Sequence, residues 1–178
     1  MIEEGIKLLI RAMDLLQILQ DPLYQARCAY FLSIAYLWNG MYDDALKWGV
    51  FAAQEYKSLG QYTGDVKRHV AQVEFAKGDY TASLETLVQS LESCMSYGRP
   101  VDIAETLEMM GRAWAKLGKK ADAQSAYDKA MRYFSTTQPQ LGGRGTMRCQ
   151  MYIRMLGDPT SEPTDDEREA LDGYFHDF

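Results

Sequence analysis

Histidine is scarce in this chain: His69 and His176 are the only two among 178 residues. That narrows general acid–base chemistry, and no Ser or Cys stands in the Gly-x-Ser-x-Gly setting that presents a nucleophile at a turn. Cysteine is almost as sparse. Cys28, Cys94 and Cys149 are odd in number, lie far apart and include no Cys-x-x-Cys pair, so neither a disulfide framework nor a zinc or redox motif has its basis. They read as reduced, half-buried core residues. Basic runs are missing too. The 19 Lys and Arg are interspersed among 25 Asp and Glu, for a net charge of −6, and nothing there would neutralise a row of phosphates, so nucleic acid is excluded as the expected partner. No stretch approaches the roughly 20 apolar residues that cross a bilayer. The opening residues, with Glu3 and Glu4 inside an amphipathic pattern, lack the basic start and apolar block of a secretory signal. The expectation is a cytoplasmic protein that is not an enzyme, with no cofactor, no metal and no membrane partner.

Several small features fit the same reading. Asp43/Asp44, Glu105/Glu108 and Asp165/Asp166 lack a matching acid or ligand set and read as solvated helix faces. His69 reads as a partly exposed helix residue. Gly142-Gly143-Arg144-Gly145 has neither the flanking strand nor the Gly-x-Gly-x-x-Gly order of a phosphate cradle, and reads as a flexible loop.

What the chain does contain is a beat. Gly40, Gly78, Gly118 and Gly157 recur at intervals of 38, 40 and 39 residues, each after about four turns of helix-compatible sequence. After the first three, a second helix-compatible run begins: AYLWNGMYDDALKW, VEFAKGDYTASLET and AWAKLGKKADAQSAY. Five positions past each of these glycines stands a small residue, Ala45, Ser83 or Ala123, and Gly5 keeps the beat 40 residues before Ala45. Glycine ends a helix in the left-handed conformation without a Cβ clash, and the small residue lets the returning helix approach closely. Tyr30/Ile34, Val66/Val70/Val73 and Leu107/Met110/Trp114 recur at helical steps, as do Leu84/Leu87/Leu91 and Ala123/Tyr127/Ala130 on the second helices. Helices are predicted at 2–19, 23–38, 42–58, 63–77, 80–96, 100–117, 120–135, 144–156 and 165–176. Breakers separate them: Asp21-Pro22, SYGRP at 96–100, STTQPQLGGRG at 135–145 and GDPTSEPT at 157–164. Thr164 with Glu167 three residues on has the form of a capping box.

On these residues the chain resembles the tetratricopeptide repeat family. Leu32-Ser33, Tyr36, Gly40, Tyr42, Ala45 and Ala52 fit its hairpin pattern in a first unit, with Gly49 departing where the family places an aromatic. Met110-Gly111, Trp114, Gly118, Ala123, Tyr127 and Ala130 fit it in a third. The second unit keeps Gly78-Asp79-Tyr80 but has Lys67 and Glu74 at large apolar places, so its first helix is expected to be rotated or unusually exposed. Repeats of 38–40 residues exceed the usual length of about 34 and are similar to the extended repeats of kinesin light chains, cell-polarity adaptors and bacterial peptide-pheromone receptors.

The resemblance implies an all-α, right-handed superhelical solenoid of antiparallel helix hairpins. Its expected divisions are 1–20, an incomplete repeat helix or cap; 23–60, 62–97 and 101–135, three repeats; and 144–178, a partial repeat with a C-terminal capping helix. It further implies a non-enzymatic scaffold that holds a protein or peptide in an inner groove lined by the first helix of each unit. The implied groove residues are Arg27, Tyr30, Ile34, Trp38, Arg68, Gln72, Phe75, Glu108, Arg112, Lys116, Met147 and Met151, with Asp65, Glu105, Arg144 and Arg154 at equivalent places. Aromatics, arginines and methionines suit a partner with apolar anchors and some acidic residues. The chaperone-tail clamps of this family carry Lys and Asn where this chain has Tyr30 and Ile34, so that subgroup does not apply. Two alternatives stand beside the scaffold. One is a ligand- or peptide-sensing domain of a larger bacterial signalling or transcription regulator. The other is a self-assembly subunit forming a homo-oligomer through exposed terminal helices. Independently of these, the last helix, 165–176, which follows a flexible loop and brings Tyr174, Phe175 and Phe178, is a candidate internal occupant of the groove.

Overall fold

The computed structural model describes residues 2–176, and of residues 139–141 and 172–176 the backbone alone. Among the described residues the chain is helix and turn without strand: α1 (Ile2–Leu19), α2 (Pro22–Trp38), α3 (Tyr42–Ser58), α4 (Gly64–Ala76), α5 (Tyr80–Ser96), α6 (Pro100–Lys116), α7 (Lys120–Phe134), α8 (Pro139–Gly157) and α9 (Asp165–His176). None of the helices is long and apolar enough to cross a membrane. The side chains of Tyr174 and Phe175, and Phe178 as a whole, lie outside the described residues.

One device ends six successive helices. Gly40, Gly60, Gly78, Gly98 and Gly118 take φ between 61° and 87°, and Gln20 takes 54° at the same place after α1. At each of them the next residue's amide donates to a carbonyl five residues back, as Met41 to Tyr36 (2.9 Å), Gln61 to Tyr56 (2.8 Å) and Lys119 to Trp114 (3.0 Å). This is the Schellman closure, which satisfies helix-end carbonyls and turns the chain sharply. Proline at the first turn of α2, α6 and α8 then starts a helix where its missing N–H costs nothing.

The chain forms two compact units, Met1–Ser93 and Cys94–Phe178. In the first, α2 packs on α1 and α3, α3 packs on α4, and α2 also touches α4. Its core joins Ala29, Ala52 and Val66 to the partly buried Met13, Tyr30, Trp48, Phe51 and Tyr56. Where two helices of a hairpin cross, both residues are small and buried: Ser33 with Ala45, and Ala71 with Ser83. The hydroxyl changes sides between them. Ser33 Oγ donates to the Ala45 carbonyl (2.6 Å), whereas Ser83 Oγ donates to the Ala71 carbonyl (2.8 Å). A serine at a crossing satisfies its own hydroxyl on the facing backbone and so costs little to bury.

In the second unit α6 packs on α7, α7 on α8 and α8 on α9, with α6 also meeting α8. Gly111 on α6 has no Cβ because the Tyr127 ring lies against it, and Tyr127 is 1% exposed. The helix α8 departs from the sequence expectation. It starts at Pro139 instead of 144, so Gly142, Gly143, Arg144 and Gly145 are helical and not a loop. A Cβ at Gly142 would collide with the Phe134 carbonyl, and one at Gly145 with the Phe134 ring. These glycines are contact residues that let α8 close on the end of α7. No left-handed glycine ends α7; the hydroxyls of Ser135, Thr136 and Thr137 donate instead to the carbonyls of Arg132, Tyr133 and Phe134 (2.7, 2.7 and 2.8 Å). At α9, Thr164 and Glu167 close a reciprocal capping box, with Thr164 N donating to Glu167 Oε2 (2.8 Å) and Glu167 N to Thr164 Oγ1 (3.3 Å).

Candidate binding site

The helix α2 presents the most distinctive surface of the first unit. Tyr24, Phe31 and Trp38 are 53%, 51% and 54% exposed and stand at seven-residue steps, with exposed Arg27 and half-buried Ile34 between them. A 3-4-3-4 spacing keeps all five on one stripe of the helix. The Arg27 guanidinium lies over the Tyr24 ring, 5.5 Å from its centre. Of the residues named from sequence, Arg27, Ile34 and Trp38 fall on this stripe. Tyr30 is one step round, half-buried, its ring edge-on to His69 at 5.3 Å. Tyr24 and Phe31 were missed, and their common interval of seven with Trp38 is the signal that could have found them.

The helix α4 is not exposed as its charged positions suggested. Val66, Arg68, His69, Val70, Ala71 and Val73 are all buried, Gln72 is half-buried, and Phe75 is half-buried against Tyr80 at 5.0 Å. His69 is a core residue and not a partly exposed one, at 7% exposure. Its Nε2 lies 2.9 Å from Ser33 Oγ. The Ser33 proton is already given to the Ala45 carbonyl, so the ring donates through Nε2–H to the hydroxyl oxygen. Burial, above all, lowers its pKa to about 4; the Ser33 backbone hydrogen bond opposes this, the Arg68 charge reinforces it and the Gln72 side chain again opposes it. His69 is therefore neutral near pH 7, a packed hydrogen-bonding group. Gly49 makes the room: a Cβ there would stand 2.9 Å from Ser33 Oγ and 3.0 Å from Val70 Cγ2.

In the second unit two of the predicted wall residues lie inside the protein. Glu108 is 2% exposed and accepts two hydrogen bonds from Arg148, Nε to Oε1 and Nη2 to Oε2, each 2.8 Å. Arg148 is itself 5% exposed, its guanidinium 5.9 Å from the Phe134 ring centre. Met151 is 1% exposed because α8 lies flat on α6 and α7 and turns that residue inward. Arg112, half-buried, stacks over Tyr152 at 5.7 Å, and Tyr152 stacks on Tyr127 at 5.5 Å. Lys116 and Arg144 are exposed, and Asp65, Glu105 and Met147 are half-buried. Arg154 is held by Glu167 Oε2 (2.7 Å) and the Glu162 carbonyl (3.0 Å). Cys28, Cys94 and Cys149 are free thiols, fully buried instead of half-buried; burial raises the Cys28 and Cys149 pKa values above the ordinary thiol range. Among the described residues no three His, Cys, Asp or Glu side chains converge as a metal set would.

No protein-family model matches the sequence, and no curated protein matches it. Solved structures do. The apo form of RapI superposes with a TM-score of 0.74 at 17% identity over 98% of this chain, which spans about half (54%) of RapI. A putative kinesin light chain of Podosopora anserina with nearly identical TPR-like repeats gives 0.67 at 13% identity, covering 96% of this chain and 84% of that one. Its Q17M form gives 0.69, also at 13% identity, over 97% of this chain and 84% of that one. The fold is that of the TPR-like helical repeats, as the glycine beat implied.

Proposed function

We propose that this TPR-like chain is a non-enzymatic scaffold that holds a segment of another protein, or a free peptide, against the exposed stripe of α2. The observation that carries this is the triplet Tyr24, Phe31 and Trp38, each left more than half exposed when the same fold buries Tyr127 and Phe134 almost completely. Large aromatics bury much area at small entropic cost, and with arginine they supply most anchors of protein interfaces. Seven residues of helix advance about 10 Å, so the triplet spans roughly 21 Å, the length of a partner helix of about 14 residues. A partner with apolar residues repeating every three or four positions meets the triplet, and an acidic residue beside them meets Arg27. Gln72 and Phe75 on α4 flank the stripe in this reading, and Arg112, Lys116 and Met147 offer a separate contact surface within the second unit. Tyr30, Arg68, Glu108 and Met151 contribute support and not contact.

The test is selection of binding peptides from a displayed helical library against the whole chain, followed by measurement on Phe31→Ala/Trp38→Ala. Loss of each anchor weakens binding about 30-fold or more, with helicity unchanged. Binders indifferent to the double substitution remove this face from consideration. The self-assembly reading draws on another surface: Leu8, Leu15, Ile18 and Leu19 of α1 are 59–77% exposed. Light scattering of the protein alone separates the two, because a mass above 20.3 kDa that falls to it on Leu15→Glu supports homo-oligomerisation.

A further inference from the structure

Another side of α4 carries a second feature. Lys67, Val70 and Glu74 repeat at three- and four-residue steps, and at about 100° per residue they form a face about 130° round the helix from Arg68, Gln72 and Phe75. With Val50, Ala53, Gln54 and Lys57 of α3, and Thr86 and Gln89 of α5, they line a cleft of about 260 Å³. This explains the two charged residues that break the family pattern in the second unit: they face a cavity and not a packed neighbour. The cleft is smaller than the roughly 300–1,000 Å³ that suits drug-sized ligands, so its occupant is small.

The charges are sorted along it. Because α3 and α4 run antiparallel, Lys57 at the end of α3 meets Lys67 near the start of α4. Glu74 stands at the other end, about 10 Å away along the axis, with Ala53 and Val70 as an apolar floor between. Burial, then the nearby Lys57, pull the Lys67 pKa down, while Glu92 opposes them. Burial also raises the Glu74 pKa against a hydrogen bond from Thr86, helped by Asp79 and Glu85 and opposed by Lys77. Glu74 Oε2 is buried without a hydrogen-bond partner. An unmade hydrogen bond on a covered carboxylate is costly, and the broad terminal torsion of Glu lets that oxygen turn towards a donor in the cleft.

We propose that this cleft binds a free-ended peptide of about three residues, spanning about 10 Å when extended, with its carboxylate at Lys57 and Lys67, small side chains over Ala53 and Val70, and its ammonium at Glu74. Each end then receives a charge opposite to its own: the carboxylate separates two like charges, and the ammonium partners the unsatisfied oxygen. Gln54 and Gln89 offer amide donors and acceptors to the peptide backbone between. The site shares no residue with the α2 stripe, so either can fail without the other.

The probe is trialanine, titrated into the whole chain while the methyl signals of Val70 and the side-chain amide of Gln89 are followed by NMR. Saturable binding with a Kd of about 1 mM or tighter is expected, weakened at least ~10-fold when the peptide is N-acetylated and again when it is C-amidated. Glu74→Gln should cost trialanine the same factor as acetylation and cost the acetylated peptide nothing further; Lys67→Met should behave likewise towards the amidated peptide. Phe31→Ala/Trp38→Ala leaves trialanine binding unchanged. Equal binding of the three peptides, or no saturable shift up to ~10 mM, overturns the proposal, and the capped peptides test it without any variant having to fold.

Discussion

Glu108→Ala is the perturbation that best separates an open wall from a packed interior. Glu108 and Arg148 are 2% and 5% exposed and share two 2.8 Å hydrogen bonds, so removing either leaves a buried charge without its counter-charge. Such losses cost about 3–5 kcal/mol, against about 0–1 kcal/mol for an exposed pair. Arg148→Met, which keeps most of the volume, should cost a similar amount. The double change Glu108→Leu/Arg148→Met removes both charges and should be close to neutral, so the effects are strongly non-additive, with a coupling of at least ~2 kcal/mol. Stacked repeats need not unfold in one step, so the reading is native-state hydrogen exchange at α6 and α8 amides, which assigns the loss to the unit where it arises. Single costs below about 1 kcal/mol, or singles that simply add in the double, would refute the reasoning and put Glu108 back on an accessible face.

Two more outcomes rest on single residues. The His69 pKa lies near 4 in the folded chain against 6.5 for an ordinary imidazole, so the unfolded state binds the extra proton between those values. The stabilisation is complete above pH 6.5 and lost as pH falls towards 4, by about 3 kcal/mol at most; urea midpoints should drop across that window in the wild type and stay flatter in His69→Gln. Gln20 holds a left-handed φ of 54° where five other helix ends use glycine. Gln20→Gly should stabilise by about 0.5–1 kcal/mol and Gly40→Ala should destabilise by about 1 kcal/mol or more, both as shifts in Tm; a loss on Gln20→Gly would contradict the account of the helix ends.

The helices were legible because their punctuation is local. Gly40, Gly78 and Gly118 mark themselves by their position and by the small residue five places beyond each, and every helix lies within a few residues of its predicted place except the start of α8. Gly60 and Gly98 perform the same closure but are succeeded by Gln61 and Arg99 instead of a repeat signature, so the beat of about twenty residues shows as one of about forty. Gly157, on the longer beat, ends α8 without a left-handed φ and with Asp158 as its cap. Exposure was less legible for a geometric reason. A helix inside a stack is covered on more than one side, and the strip left open is narrow. Tyr30 and Phe31 are adjacent in sequence yet one faces His69 and the other solvent. Nothing local to α6 shows that Arg148, forty residues on, will cover Glu108.

The same geometry accounts for the departures from the repeat pattern, which come as exchanges of volume between distant positions. Gly49 stands where an aromatic is usual, and the space it leaves is used by Ser33 and, through it, His69. Gly111 gives its space to Tyr127, and Gly145 to Phe134. Each glycine looks permissive or loop-like by itself, yet adding one methyl group at 111 or 145 would drive an aromatic ring from a closely packed site. A sequence read position by position records these glycines as gaps, although each is half of a pair whose other half lies 16 residues on, in Tyr127, or 11 residues back, in Phe134. Lys67 and Glu74 are the informative contrast. They break the apolar pattern without a partner of complementary volume, and it is there that the first unit keeps an open, charge-sorted cleft.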